Sequence, residues 1–140
     1  MTVKIENEHL LTDRFGRWPS FHDAEIVSAR FERSGPDAPF LECDIHVFEM
    51  TTEIDEAGFY ILKHHTLVTL RFCDIALERF AGWNEQNALW SLDIQPAVSA
   101  DQSAQDSYSI EVDMPSSYGC EAKLWCRAVK ILNARDFAPT

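Results

Sequence analysis

Eight residues, Trp18-Pro19-Ser20-Phe21-His22-Asp23-Ala24-Glu25, gather two aromatics, a proline, a histidine and two carboxylates. A carboxylate beside a histidine can raise its pKa and orient its ring, so His22, Asp23 and Glu25 are candidates for acid–base chemistry or for holding a cation. The same groups can instead satisfy backbone donors and acceptors where a strand begins. Neighbours on a strand point to opposite faces, so His22 and Asp23 could not converge on one zinc ion from there. The strand-corner role therefore carries more weight, with Phe21 in the core. By the same geometry His64-His65 read as a solvated pair. His46, placed with Glu42 and Asp44 on a polar strand face, reads as a weak, solitary ligand.

A third set, Trp83-Asn84-Glu85-Gln86-Asn87, offers a stacking ring and two amides, the chemistry of a sugar site and equally of an Asx-rich turn. Asn84 and Asn87 join His22, Asp23 and Glu25 as an alternative ligand site. No serine elbow, activated cysteine or phosphate-cradling glycine loop is present. We expect a non-enzymatic protein with no catalytic residue, cofactor or metal. Cys43, Cys73, Cys120 and Cys126 lack CxxC spacing and fall within apolar alternation. They read as small buried hydrophobes in a reducing compartment.

The elements that must position these groups alternate with a period of two. Val27, Ala29 and Phe31 oppose Ser28, Arg30 and Glu32; Leu41, Cys43, Ile45 and Val47 oppose Glu42, Asp44 and His46. Between these two runs, residues 34–39 supply hairpin turn chemistry. Residues 49–60 read as an acidic loop. Further strands are expected over 66–75, 89–94, 108–114 and 120–128, with a bulge where the apolar phase slips at Val129-Lys130-Ile131. Leu77 and Phe80, three apart before Gly82, suggest one helical turn. Residues 1–17 suggest an irregular or short helical lead-in. The expectation is one all-β domain over 1–140. It would be mainly an antiparallel sandwich or strongly curved sheet of about six strands, with at most one or two short helical turns.

Charge narrows the partners. Twelve basic residues against 23 acidic ones give a formal −11, which repels phosphate backbones and anionic lipid. Nucleic acid and membrane surfaces are thus disfavoured, and basic proteins favoured. With no apolar leader at the N-terminus and no run of eighteen apolar residues, a cytoplasmic location is expected. Homo-oligomerisation stays open, through an uncovered face if Trp90 and Trp125 are exposed on adjacent strands.

The motifs FHDAEI at 21–26, LVTLRFCDI at 67–75 and WNEQN at 83–87, with a closing β-pair, resemble the immunity protein 50 family of bacterial polymorphic-toxin systems. The resemblance spans about residues 18–131, and WPSFHDAE and RF…GWNEQN carry its specific part. It implies a cytoplasmic protein that binds and neutralises a cognate toxin domain, and it transfers no catalytic residue. An acidic surface would suit a basic toxin. We therefore expect contact through Glu49, Glu53, Asp55 and Glu56 in one loop and Asp101 and Asp106 in another.

Overall fold

The structure, a computed structural model, describes residues 3–97 and 108–138. Among the described residues, ten strands form two antiparallel sheets that share one hydrophobic cluster. The six-stranded sheet runs in the order β10-β3-β2-β1-β5-β8, and the four-stranded sheet in the order β4-β9-β7-β6. In chain order the strands are β1 (Glu25–Glu32), β2 (Phe40–Ile54), β3 (Tyr60–Cys73), β4 (Ala76–Ala81) and β5 (Ala88–Leu89). They continue with β6 (Asp93–Pro96), β7 (Ile110–Met114), β8 (Ser116–Tyr118), β9 (Glu121–Cys126) and β10 (Ala128–Asp136). The all-β sandwich follows the alternation. The strand count exceeds the expected six because two runs are split between the sheets and because β4 and β8 form outside the expected runs.

The core is built from the best-patterned runs. Leu41, Cys43 and Ile45 of β2 stand opposite Phe72, Leu70 and Val68 of β3, and all six are fully buried. Val112 and Met114 of β7 pair with Leu124 and Ala122 of β9 and close the core from the other sheet. Such interdigitation of two inner faces is how a sandwich removes apolar surface from water. The lead-in contains one helix, α1 (His9–Phe15), which buries Leu11 and stops at Gly16. Gly16 adopts the left-handed conformation (φ 78°) and donates its N–H to the Thr12 carbonyl at 2.7 Å, a usual helix stop.

Four expectations are corrected. First, residues 49–60 are largely strand: β2 and β3 continue past the sheet as a ribbon, and only the 55–59 turn is loop. Second, Leu77 to Trp83 is no helical turn, because β4 pairs with β9 over Ala76–Ala81, with a register shift between Leu77 and Arg79. Third, the 89–94 run is split: β5 and β6 belong to different sheets, and Trp90 lies between them. Fourth, the closing run divides at Arg127, where the chain leaves one sheet for the other. The phase slip at Val129 to Ile131 comes from that crossing, while the bulge in β10 sits later, between Ile131 and Asn133.

The inward face of β1 also differs. A register shift between Ile26 and Ser28 buries Ile26 and leaves Val27 49% exposed. Phe31, half exposed, packs edge-on against Phe80 at 5.2 Å.

Candidate functional site

The opening motif forms a corner. Phe21 is buried against Trp18, ring centres 5.6 Å apart, and anchors the segment ahead of β1. Asp23 takes a left-handed φ of 66° and donates its N–H to the Leu89 carbonyl at 2.8 Å. The Leu89 N–H returns a bond to the Ala24 carbonyl at 2.8 Å. His22 places Nδ1 3.0 Å from the Trp90 carbonyl, with the Trp90 ring edge-on at 4.8 Å. Its Nε2 lies 3.6 Å from Asp23, and both side chains are nearly half exposed. Glu25 begins β1, opposite Ala88 on one side and His46 on the other. The geometry is that of a strand start tied to residues 88–90.

The two asparagines are committed to backbone. Asn87 is 3% exposed; its Oδ1 accepts from the N–H groups of Asn84 (2.8 Å) and Cys120 (3.2 Å). Its Nδ2 donates to the carbonyls of Ile26 (3.3 Å) and Asn84 (2.8 Å). An amide has two donors and one acceptor oxygen, so nothing is left for a ligand. Asn84 Oδ1 accepts from the N–H groups of Gln86 and Asn87, both at 2.9 Å. Gly119, at φ 98°, lies so close that a side chain there would strike Asn84 Oδ1. Among the described residues no hydrogen bond joins Asn84 or Asn87 to His22, Asp23 or Glu25.

A cleft of about 530 Å³ is lined by Val3, Ile5, Trp18, Leu92, Ile94 and Pro96, with Glu8, Asp93 and Gln95 among its polar groups. None of His22, Asp23, Glu25, Asn84 or Asn87 lines it. Among the described residues no group of three or more histidine, cysteine, aspartate or glutamate side chains could hold a metal ion. The four cysteines are free and buried. Burial pushes their thiols up, Cys73 and Cys120 to about 11 and Cys126 to about 12, which makes them poor nucleophiles. Trp90 is 60% exposed, but Trp125 is half-buried in β9 and paired with Ala76 and Glu111, so the two do not form a patch on adjacent strands.

The most open apolar surface lies on the β2–β3 ribbon. The pairing of β1 with β2 ends at Glu25–His46, and that of β10 with β3 ends at Asp136–Thr66. Beyond those points, apart from the Phe137 N–H bond to the His65 carbonyl, β2 and β3 pair only with each other among the described residues, over roughly 20 Å. Met50 stands opposite Leu62, and Ile54 opposite Tyr60. Leu62 and Tyr60 are two residues apart, so both pairs share one face. Met50 is 50% exposed, Ile54 and Tyr60 about 60%, and Phe59 in the turn 71%. The other face is charged: Lys63 meets Glu53 at 2.7 Å, and His64 lies 3.7 Å from Glu49. Asp55 organises the turn by accepting from the N–H groups of Ala57 (2.9 Å) and Phe59 (3.0 Å), leaving Glu56 at the exposed tip. Four acids and one lysine between 49 and 63 give the ribbon a formal −3. Asp101 and Asp106 lie outside the described residues.

At the root of the ribbon the histidines depart from expectation. His64 takes φ 57° and, with His65, faces the single residue Phe48, a bulge that re-aims the next side chain. His65 thereby meets His46, Nδ1 to Nε2 at 2.9 Å. His46 is buried rather than on a solvated face, since Phe48 and Phe137 pack on its ring at 5.5 and 4.8 Å. Only His64 of the expected solvated pair is exposed. Spacing could not disclose the His46–His65 contact, because it depends on the bulge.

No protein-family model matches the chain, and comparison with curated proteins and with solved structures found no significant match, so the resemblance to immunity proteins rests on the quoted motifs alone.

Proposed function

We propose that this chain is a protein-binding module whose β2–β3 ribbon docks a basic protein partner. The observation that carries the proposal is an amphipathic two-stranded arm whose outer part pairs with no third strand among the described residues, apolar on one face and acidic at its tip. An isolated hairpin of this kind is marginal in water, and a partner that covers it removes that weakness. Burying four or five such side chains contributes on the order of 2 kcal/mol each. Loss of translational and rotational freedom on association costs about 4–15 kcal/mol, so apolar contact alone falls short of tight binding. Charge complementarity supplies the remainder and steers encounter, an effect consistent with the formal −11 of the chain.

The finer reading is neutralisation of a cognate toxin domain in the cytoplasm, with Glu49, Glu53, Asp55 and Glu56 at the contact. It is supported by the motif resemblance and the acidity. Co-expression with the product of the neighbouring gene tests it. We expect a complex that dissociates as salt is raised and a host that dies when only this gene is deleted. Unimpaired growth of that deletion strain, with the neighbour expressed, overturns the toxin reading. The alternative ligand-binding or enzymatic reading loses ground because Asn87 and the side-chain oxygen of Asn84 are spent on backbone.

A further inference from the structure

We propose that the His46–His65 pair is a proton-operated latch that holds the root of the ribbon on the sheet at neutral pH and releases it in acid. This deepens the docking role above by giving that surface a regulator, and its test does not require a partner.

The pair sits where lateral support ends. His46 is flanked across strands by Glu25, the first residue of β1, and by Leu67. The His65 carbonyl accepts from the Phe137 N–H at 3.1 Å, the last backbone tie between β3 and the chain beyond β10. Phe48 and Phe137 pack on the His46 ring, and Phe48 also packs on His65 at 5.9 Å. One contact therefore fastens β2, β3 and the segment after β10 together. Past it lies the ribbon, flanked at its root by Phe15, whose ring stands edge-on to His64 at 6.1 Å.

Proton counting makes this contact conditional. Two neutral imidazoles hold one hydrogen between the facing nitrogens, one ring donating and the other accepting. A first added proton goes to the remote nitrogen of the donor ring and leaves the bond intact. A second must occupy the facing nitrogen of the acceptor ring, so two N–H groups of two cations then oppose each other. Both effects disfavour the charged, closed pair: burial and the facing His65 hold His46 below its usual value.

The sign follows. Where the closed pair binds protons less readily than the open one, acid favours opening. The stabilisation is complete above pH 6.5 and is lost as pH falls through the lowered His46 value.

The surrounding charges do not cancel this effect. On α1, Arg14 donates to Thr66 Oγ1 at 3.3 Å and pairs with Asp136 of β10. Arg17 and Glu49 line the small cavity beside Phe48. Lys63 is paired with Glu53, and His64 faces Glu49. Glu25, opposite His46, is the acid best placed to favour a first proton.

The test is amide hydrogen exchange on the free protein, expressed as protection relative to the unstructured chain at each pH. Between pH 7.5 and 5.0 we expect protection at Met50, Leu62 and Thr66 to fall by about tenfold. Protection at Val112 and Leu124 should hold. The variant His65→Gln should flatten the response at the ribbon. Equal pH dependence in wild type and variant, or equal loss in ribbon and core, overturns the latch. Should the variant fold poorly, NMR titration of the wild-type imidazoles decides: two coupled steps support the latch, and two independent steps near pH 6.5 refute it. A failed latch leaves salt-dependent partner capture untouched.

Discussion

The two ends of the β2–β3 hairpin share strands and a hydrogen-bond ladder yet live in different environments. At the sheet end, Leu41 to Val47 and Leu67 to Phe72 have neighbours on both sides and a second sheet above. At the free end, the stretch from Met50 to Leu62 pairs with no third strand among the described residues, and Met50 borders a small cavity shared with Phe15, Arg17, Pro19 and Ser20. Both ends carry large apolar residues. Those near the sheet hold the fold together, and those on the ribbon are held out in water, so a side chain's effect is set by what surrounds its strand rather than by its type.

Substitutions should separate the ends. The largest effect is expected in the body: Phe72→Ala should cost about 3–5 kcal/mol, because the cavity has no water-exposed side from which to relax. Chemical denaturation measures it, and a loss below 1 kcal/mol would erase the distinction. Next is Asn87→Ala, which strands two N–H groups and two carbonyls near β1 and β8. About 2–3 kcal/mol should be lost, read as a lowered denaturation midpoint with an unchanged slope.

Smaller still is the charge network on the outer sheet face. Arg71 bonds Glu42 (2.8 Å) and Asp37 (3.0 Å), and Lys130 reaches Asp37 at 3.1 Å. These groups are about a fifth to a third exposed, so Asp37→Asn should cost no more than about 1 kcal/mol at pH 7. Lys130 and then Arg71 hold the Asp37 carboxyl below its usual value. Its contribution is present above pH 3.8 and lost as pH falls through the lowered value. Denaturation midpoints of wild type and variant should converge in acid; a gap that persists at pH 2 contradicts this. The smallest change in stability belongs to Phe59→Ser and Tyr60→Ser, within about 0.5 kcal/mol. Their effect should fall on partner capture, with affinity reduced tenfold or more. Should they unfold the protein instead, the ribbon is part of the core economy and the contrast collapses.

Much of the body was legible from residues alone. Leu41 to Val47, Val68 to Phe72, Ile110 to Met114 and Cys120 to Cys126 alternate cleanly, and each run is a strand with its apolar face inward. The corner at Trp18 to Glu25 was legible in part: Phe21 is buried and the His22 ring meets the Trp90 carbonyl, but the Asp23 carboxylate faces His22, and its main-chain N–H makes the tie to Leu89. The ribbon was not. Residues 49–60 carry four acids and Gly58, the composition of a loop, and their apolar residues Met50, Ile54, Phe59 and Tyr60 do not alternate with a period of two, because a strand without a core behind it needs no such pattern. Its order comes from the partner strand.

Alternation in the sequence determined which runs become strands and which side of each is dry, since burial on one face leaves a period-two trace. Tertiary structure decided which sheet each strand joins, where the chain crosses at Arg127, and how far the hairpin outruns its neighbours. It also decided that His46 and His65, nineteen positions apart, should meet. A single extra residue in a strand reverses every side chain beyond it. The residues themselves give only a weak sign of where that residue is inserted, because the hydrogen bonds that tolerate a bulge belong to two strands at once.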